Sequence, residues 1–178
     1  SILGCAGPSA TYTVSVKPLP QITNAILTQT ICSSASTAVV SFTSTPSATS
    51  YAWNLVSAGV VGGAAASGNG SLPVMNLTNT TNAIDSVQYE ITPSLNGCDG
   101  PKKIYVIRVV PKPIITLPND TTICSGTSFA ALNIQTNIPA TTYTWTASAV
   151  TAGISGYTNS GTSNPIPSMV LNNTAANP

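Results

Sequence analysis

The sequence predicts an all-β protein, built as tandem antiparallel β-sandwich repeats joined by Pro-x-Pro linkers. Three observations carry that prediction. First, the 178 residues are dominated by Thr, Ser, Asn and β-branched side chains, with only five Lys+Arg and four Asp+Glu; strand formers abound and charged helix formers are scarce. Second, short apolar runs alternate with turn-rich segments and never settle into a helical period. Third, the chain repeats itself. The stretch from Gly97-Cys98-Asp99-Gly100-Pro101 to Val110-Pro111-Lys112-Pro113 is preceded, 93 positions earlier, by Gly4-Cys5-Ala6-Gly7-Pro8 running to Lys17-Pro18-Leu19-Pro20. Self-similarity at a fixed period is the mark of an array.

Taken in order, residues 1–17 read as the closing strand of a preceding repeat, with alternation over 11–16. Lys17-Pro18-Leu19-Pro20 follows as a stiff spacer, because each proline fixes φ, removes an amide donor and extends the residue before it. Residues 18–110 form one complete repeat, with strands expected near 25–31, 38–43, 50–56, 74–77, 86–92 and 103–110. The segments 57–70 and 76–82 read as turns and loops. Short strands at this spacing make a sandwich. Residues 111–178 start the pattern again after Pro111-Lys112-Pro113. Thr30-Ile31-Cys32-Ser33 returns as Thr122-Ile123-Cys124-Ser125, and Tyr51-Ala52-Trp53 as Tyr143-Thr144-Trp145. Pro73, Met75, Leu77, Asn79 and Thr80 return as Pro167, Met169, Leu171, Asn173 and Thr174. This last repeat lacks a counterpart of residues 86–110. The chain therefore reads as a window cut from a longer polypeptide.

A net charge of +1 excludes a basic stripe for nucleic acid. No apolar run approaches the ~20 residues that span a bilayer, so no membrane insertion is expected. A repeat of about 93 residues buries roughly 60–65% of its unfolded surface, a modest core.

The cysteines bear on how that core is held. Within the complete repeat the available pair is Cys32 and Cys98, and a bridge between them implies an oxidising compartment. Cys5 and Cys124 belong to the flanking repeats and would pair with neighbouring repeats or with other copies. With no His and no Cys-x-x-Cys, a zinc site is not expected. Tyr51 and Trp53, two apart on one strand face, read as core aromatics, as do Tyr143 and Trp145. The competing reading is an aromatic platform for sugar.

Ile-Cys-Ser, then Tyr-x-Trp, a Leu-x-Asn-Thr turn, a Val-x-Tyr strand, Gly-Cys-x-Gly and a Val-x-Pro-x-Pro-x-Ile exit together resemble the PKD-like (immunoglobulin-like) repeats of very large Bacteroidota surface proteins. Gliding-motility adhesins exported by type IX secretion are the best-known carriers of such arrays. The resemblance covers essentially the whole chain and implies a β-sandwich string outside the cell, at the cell surface. It also gives meaning to Asp85-Ser86-Val87 and Asp120-Thr121-Thr122, which resemble the Asp-Ser/Thr-apolar acceptor of O-glycosylation in that bacterial group, with Ser86 and Thr121 as acceptors.

Catalytic chemistry has little to work with. Histidine is absent and Asp85, Glu90, Asp99 and Asp120 stand singly, so neither a triad, a carboxylate pair nor a calcium loop assembles locally. No enzyme, cofactor or metal is expected. The function expected is a structural segment of a long extracellular adhesin or stalk, whose partners are neighbouring repeats of the same chain. The alternative is a carbohydrate-binding or spacer module of a secreted enzyme, contacting surface polysaccharide. Residues 1–17, a closing strand without a module, and residues 111–178, a module without one, also suggest head-to-tail self-association by strand donation, with Cys5 bridging Cys124 of a neighbour.

Overall fold

A computed structural model describes residues 8–47 and 49–175. Among these residues all regular structure is strand. The chain divides into two units: the first holds the described residues up to Asn79 together with Asp85–Val110, the second Thr80–Ile84 and the residues from Pro111 onward.

The first unit is a two-layer β-sandwich. Its strands are β1 (Gln21–Ile22), β2 (Thr28–Cys32), β3 (Ser44–Thr45), β4 (Ser50–Ser57), β5 (Ser67–Asn69), β6 (Asp85–Leu95), β7 (Cys98–Asp99) and β8 (Lys103–Val110). The main sheet runs β2-β8-β6-β4-β5, with β7 folded back on β6. Alternation decides which face is covered: Val87, Tyr89 and Ile91 of β6 and Tyr105, Ile107 and Val109 of β8 point inward and are almost wholly buried, while Glu90, Lys102 and Arg108 stay toward solvent. Glu90 and Lys102 form a surface ion pair at 2.6 Å, a contact of small energetic weight.

The facing layer is less regular. It holds the β1–β3 pair and isolated bridges Ser36↔Asn76, Val40↔Leu72 and Gly62↔Thr78. Phe42, Val61, Leu72, Met75 and Leu77 project from it into the core. Continuous strands expected over 38–43 and 74–77 are replaced here by single bridges. Thr37 supplies one reason: its hydroxyl accepts from the Met75 amide at 2.9 Å, so a side chain substitutes for a ladder bond.

Two further expectations are corrected. Residues 11–16 are not a strand: they are exposed along their length and have no ladder partner. A strand is stable only against a neighbour, and none lies beside this segment. The sheet is also not wholly antiparallel, because β2 and β8 pair in parallel through five residues, from Thr28↔Val106 to Cys32↔Val110.

The second unit contains β9 (Ile115–Thr116), β10 (Thr127–Ser128), β11 (Gln135–Thr136), β12 (Trp145–Thr146), β13 (Ile154–Ser155), β14 (Ser160–Gly161) and β15 (Val170–Asn173). Its pairings β9–β11, β12–β14 and β10–β15–β13 fall at the places of the first unit's β1–β3, β4–β5 and facing-layer bridges. Trp145 pairs with Gly161 as Trp53 pairs with Gly68, and Leu132 bridges Ile166 as Val40 bridges Leu72. Nothing among its described residues corresponds to β6 or β8.

Candidate functional site

Cys32 and Cys98 are free, and the expected bridge between them is corrected by their placement. Cys32 ends β2 opposite Val110, the last residue of β8. Cys98 sits in β7 opposite Leu95, before β8 begins at Lys103 beside Ile91. The seven steps of β8 between those ends span about 23 Å, whereas a disulfide needs Cα atoms within about 7 Å. Direction is the physical reason: the parallel pairing carries the end of β2 to the end of β8 that lies farthest from β7. Cys124 is likewise free and exposed, and Cys5 lies outside the described residues.

Trp53 is 5% exposed and meets the Tyr89 ring edge-on, with centroids 5.5 Å apart and planes at 90°. Its indole lies flat over Gly68, where any Cβ would collide with the ring. Tyr51 is half-buried, its ring 5.6 Å from that of Phe42. Neither ring offers a broad open face. Tyr143 and Trp145 are half-buried in the second unit; Trp145 lies over Gly161 in the same manner and donates Nε1–H to the Ser163 carbonyl at 3.1 Å.

A polar latch escaped the sequence reading. The Ser33 hydroxyl donates to the Asn79 carbonyl at 3.1 Å and accepts from the Asn79 amide at 2.9 Å. The buried Asn79 side chain in turn donates to the Val109 carbonyl at 2.8 Å. This ties the facing layer to β8. Ser125 and Asn173 repeat the first pair of bonds, at 3.4 and 2.9 Å. The signal was present in the sequence, since Ser33 and Asn79 lie inside the two motifs that recur.

Ser86 is half-buried in β6 opposite Arg108. The preceding Asp85 accepts from the Val60 amide at 2.8 Å and from the Ser86 amide at 2.7 Å, and these bonds, Val60's foremost, hold its carboxyl below the usual carboxylate range. Asp85 thereby fastens the loop before β5. Thr121 is exposed in a segment without strand structure.

A shallow groove of about 440 Å³ at the end of the main sheet is lined by Tyr51, Asn69, Thr92, Ser94 and Asp99. It holds one carboxylate and no second group to share a proton with, so it can hydrogen-bond a polar ligand but lacks an acid–base pair. No group of three or more His, Cys, Asp or Glu gathers to hold a metal among the described residues.

No curated protein and no solved structure matches the chain. Residues 29–113, which run from β2 through β8 and just past it, match the family model described as the PKD-like domain.

Proposed function

We propose that the chain is a load-bearing structural segment of an extracellular filament or stalk, one that holds a distal region away from a surface. The observation that carries this reading is the parallel pairing of β2 with β8. Within the main sheet these are the first and the last strands of the chain, and a pull along the chain draws them in opposite directions along a shared ladder. All five register pairs are then loaded together and must yield together. An antiparallel terminal pair would open one bond at a time.

The PKD-like match agrees with a spacer or adhesion module outside the cell, and no helix among the described residues is long and apolar enough to cross a membrane. The finer reading, a repeat of a gliding-type surface adhesin, rests on the recurring motifs. The role is mechanical and requires no catalytic group. A sugar platform at Trp53 is disfavoured, because that ring is enclosed.

Single-molecule stretching tests the proposal. Gln29 and Thr30 are adjacent, so their amides point to opposite sides of β2 and proline at one of them must cut the β8 ladder. The unfolding force of the first unit is expected to fall in one of the variants Gln29→Pro and Thr30→Pro. Each event should release about 300 Å of chain, with or without reductant, since Cys32 and Cys98 are free. An unchanged force in both variants overturns the reading.

A further inference from the structure

Two parts of the recurring text, the Gly-Cys-x-Gly-Pro run and the Pro-x-Pro run, meet in the first unit. Leu95↔Cys98 closes the β6–β7 hairpin around Asn96 and Gly97, whose φ values of 52° and 80° make the two-residue turn that twisted strands favour. The Asn96 carbonyl has no place in the β6–β7 ladder. It accepts instead from Lys17 Nζ at 3.0 Å.

Gly100 follows the hairpin and is buried, with its amide donating to the Pro93 carbonyl at 2.8 Å. The linker passes directly over it: a Cβ on Gly100 would run into the Pro20 carbonyl oxygen and stand 3.2 Å from the Pro20 ring Cγ. Space is the constraint, since the φ of Gly100 is not in the left-handed region. Pro20 is fully buried, whereas Leu19 is 56% exposed. Beyond Pro20 the chain is held by the pairing of β1 with β3. The linker is thus fastened at Lys17 by its ammonium and at Pro20 by its ring, and the two prolines fix φ in the span between.

We propose that the β6–β7 hairpin and Gly100 form a docking site for the Pro-x-Pro segment that leads into the same repeat. Its occupant is Lys17–Pro20 of this chain, so the rigid body of the first unit begins at Lys17 and not at β1. An extended proline-rich segment loses little freedom on docking, and few contacts suffice to hold it. The proposal also explains why the two runs recur together. Gly97 and Gly100 stand 93 positions after Gly4 and Gly7, and Pro111 and Pro113 the same distance after Pro18 and Pro20. Strap and dock are each of use only with the other.

Nitrogen-15 relaxation of the 178-residue protein tests the proposal. Order parameters of Lys17 and Leu19 are expected near the rigid value of about 0.85. In Gly100→Ala both should fall below about 0.6, while the amides of β6 and β8 keep theirs. Should Gly100→Ala fail to fold, Pro20→Asp carries the same expectation, because it leaves the hairpin untouched and places a charge where the ring is buried. Mobile Lys17 and Leu19 in the unaltered protein overturn the proposal, as does a strap that stays rigid in a folded variant. Either result leaves the load-bearing reading standing, which rests on the β2–β8 ladder and is tested by force.

Discussion

At the scale of single residues, buried polar atoms decide how this nearly uncharged protein responds to pH. The Tyr89 hydroxyl donates to the Ala65 carbonyl at 2.9 Å and touches Met75 Sδ at 3.1 Å. Burial pushes the phenols of Tyr89 and Tyr105 above their ordinary value. A group whose folded pKa exceeds its unfolded pKa contributes stability that is intact below the unfolded value and is lost as pH rises through the folded one. For these phenols the loss begins near pH 10. Asp85 works in the opposite direction. Its folded pKa is lowered, so its contribution is present above about pH 4 and disappears as pH falls through the folded value. With no histidine in the chain, no imidazole titrates between those limits. The unfolding midpoint should therefore be flat from about pH 5 to 9 and fall on both sides. Tyr89→Phe/Tyr105→Phe should flatten the alkaline fall, and a slope at neutral pH in a midpoint-versus-pH series would contradict this account.

At the scale of elements, the β4–β5 hairpin shows both what the sequence made legible and what it hid. Strand β4 was readable from Tyr-x-Trp alternation, and β6 and β8 from long runs of inward apolar residues. Strand β5 was not readable. Ser67-Gly68-Asn69 has no side chain that packs and reads as a loop; it is a strand because Gly68 leaves room for the Trp53 ring. The cue was the recurring glycine, 15 residues after Trp53 and 16 after Trp145. The cysteine pairing stayed hidden for a different reason: alternation fixes which face a residue takes but not whether neighbouring strands run parallel. Gly68→Ala should lower stability by about 1–3 kcal/mol through overpacking, without backbone strain, since its φ is not in the left-handed region. Gly161→Ala should cost less, because Trp145 is only half-enclosed and has space to move. Denaturant midpoints at constant m-value measure both, and equal costs would mean that the two indoles are held alike.

At the scale of the whole molecule, the two units share a pattern but not a core. Thirteen buried apolar residues form one cluster in the first unit, while among those described in the second only Ile134 and the linker residue Pro111 are buried. Each fully buried aliphatic or aromatic side chain stabilises by about 1.5–3 kcal/mol, against an ordering cost of more than 1 kcal/mol for every residue fixed. The first unit therefore has the makings of an ordinary stable domain, and the second is close to balance or below it. Two-state unfolding should fail for the chain as a whole. Each unit carries one tryptophan, so the two transitions can be read separately by fluorescence. Trp145 should report an early, shallow change at low denaturant and Trp53 a later, steeper one, because the slope scales with the surface exposed. Trp145→Phe should delete the early signal and leave the late midpoint in place. If both indoles instead followed one transition with one midpoint, the second unit would have to draw its stability from contacts other than its own apolar cluster.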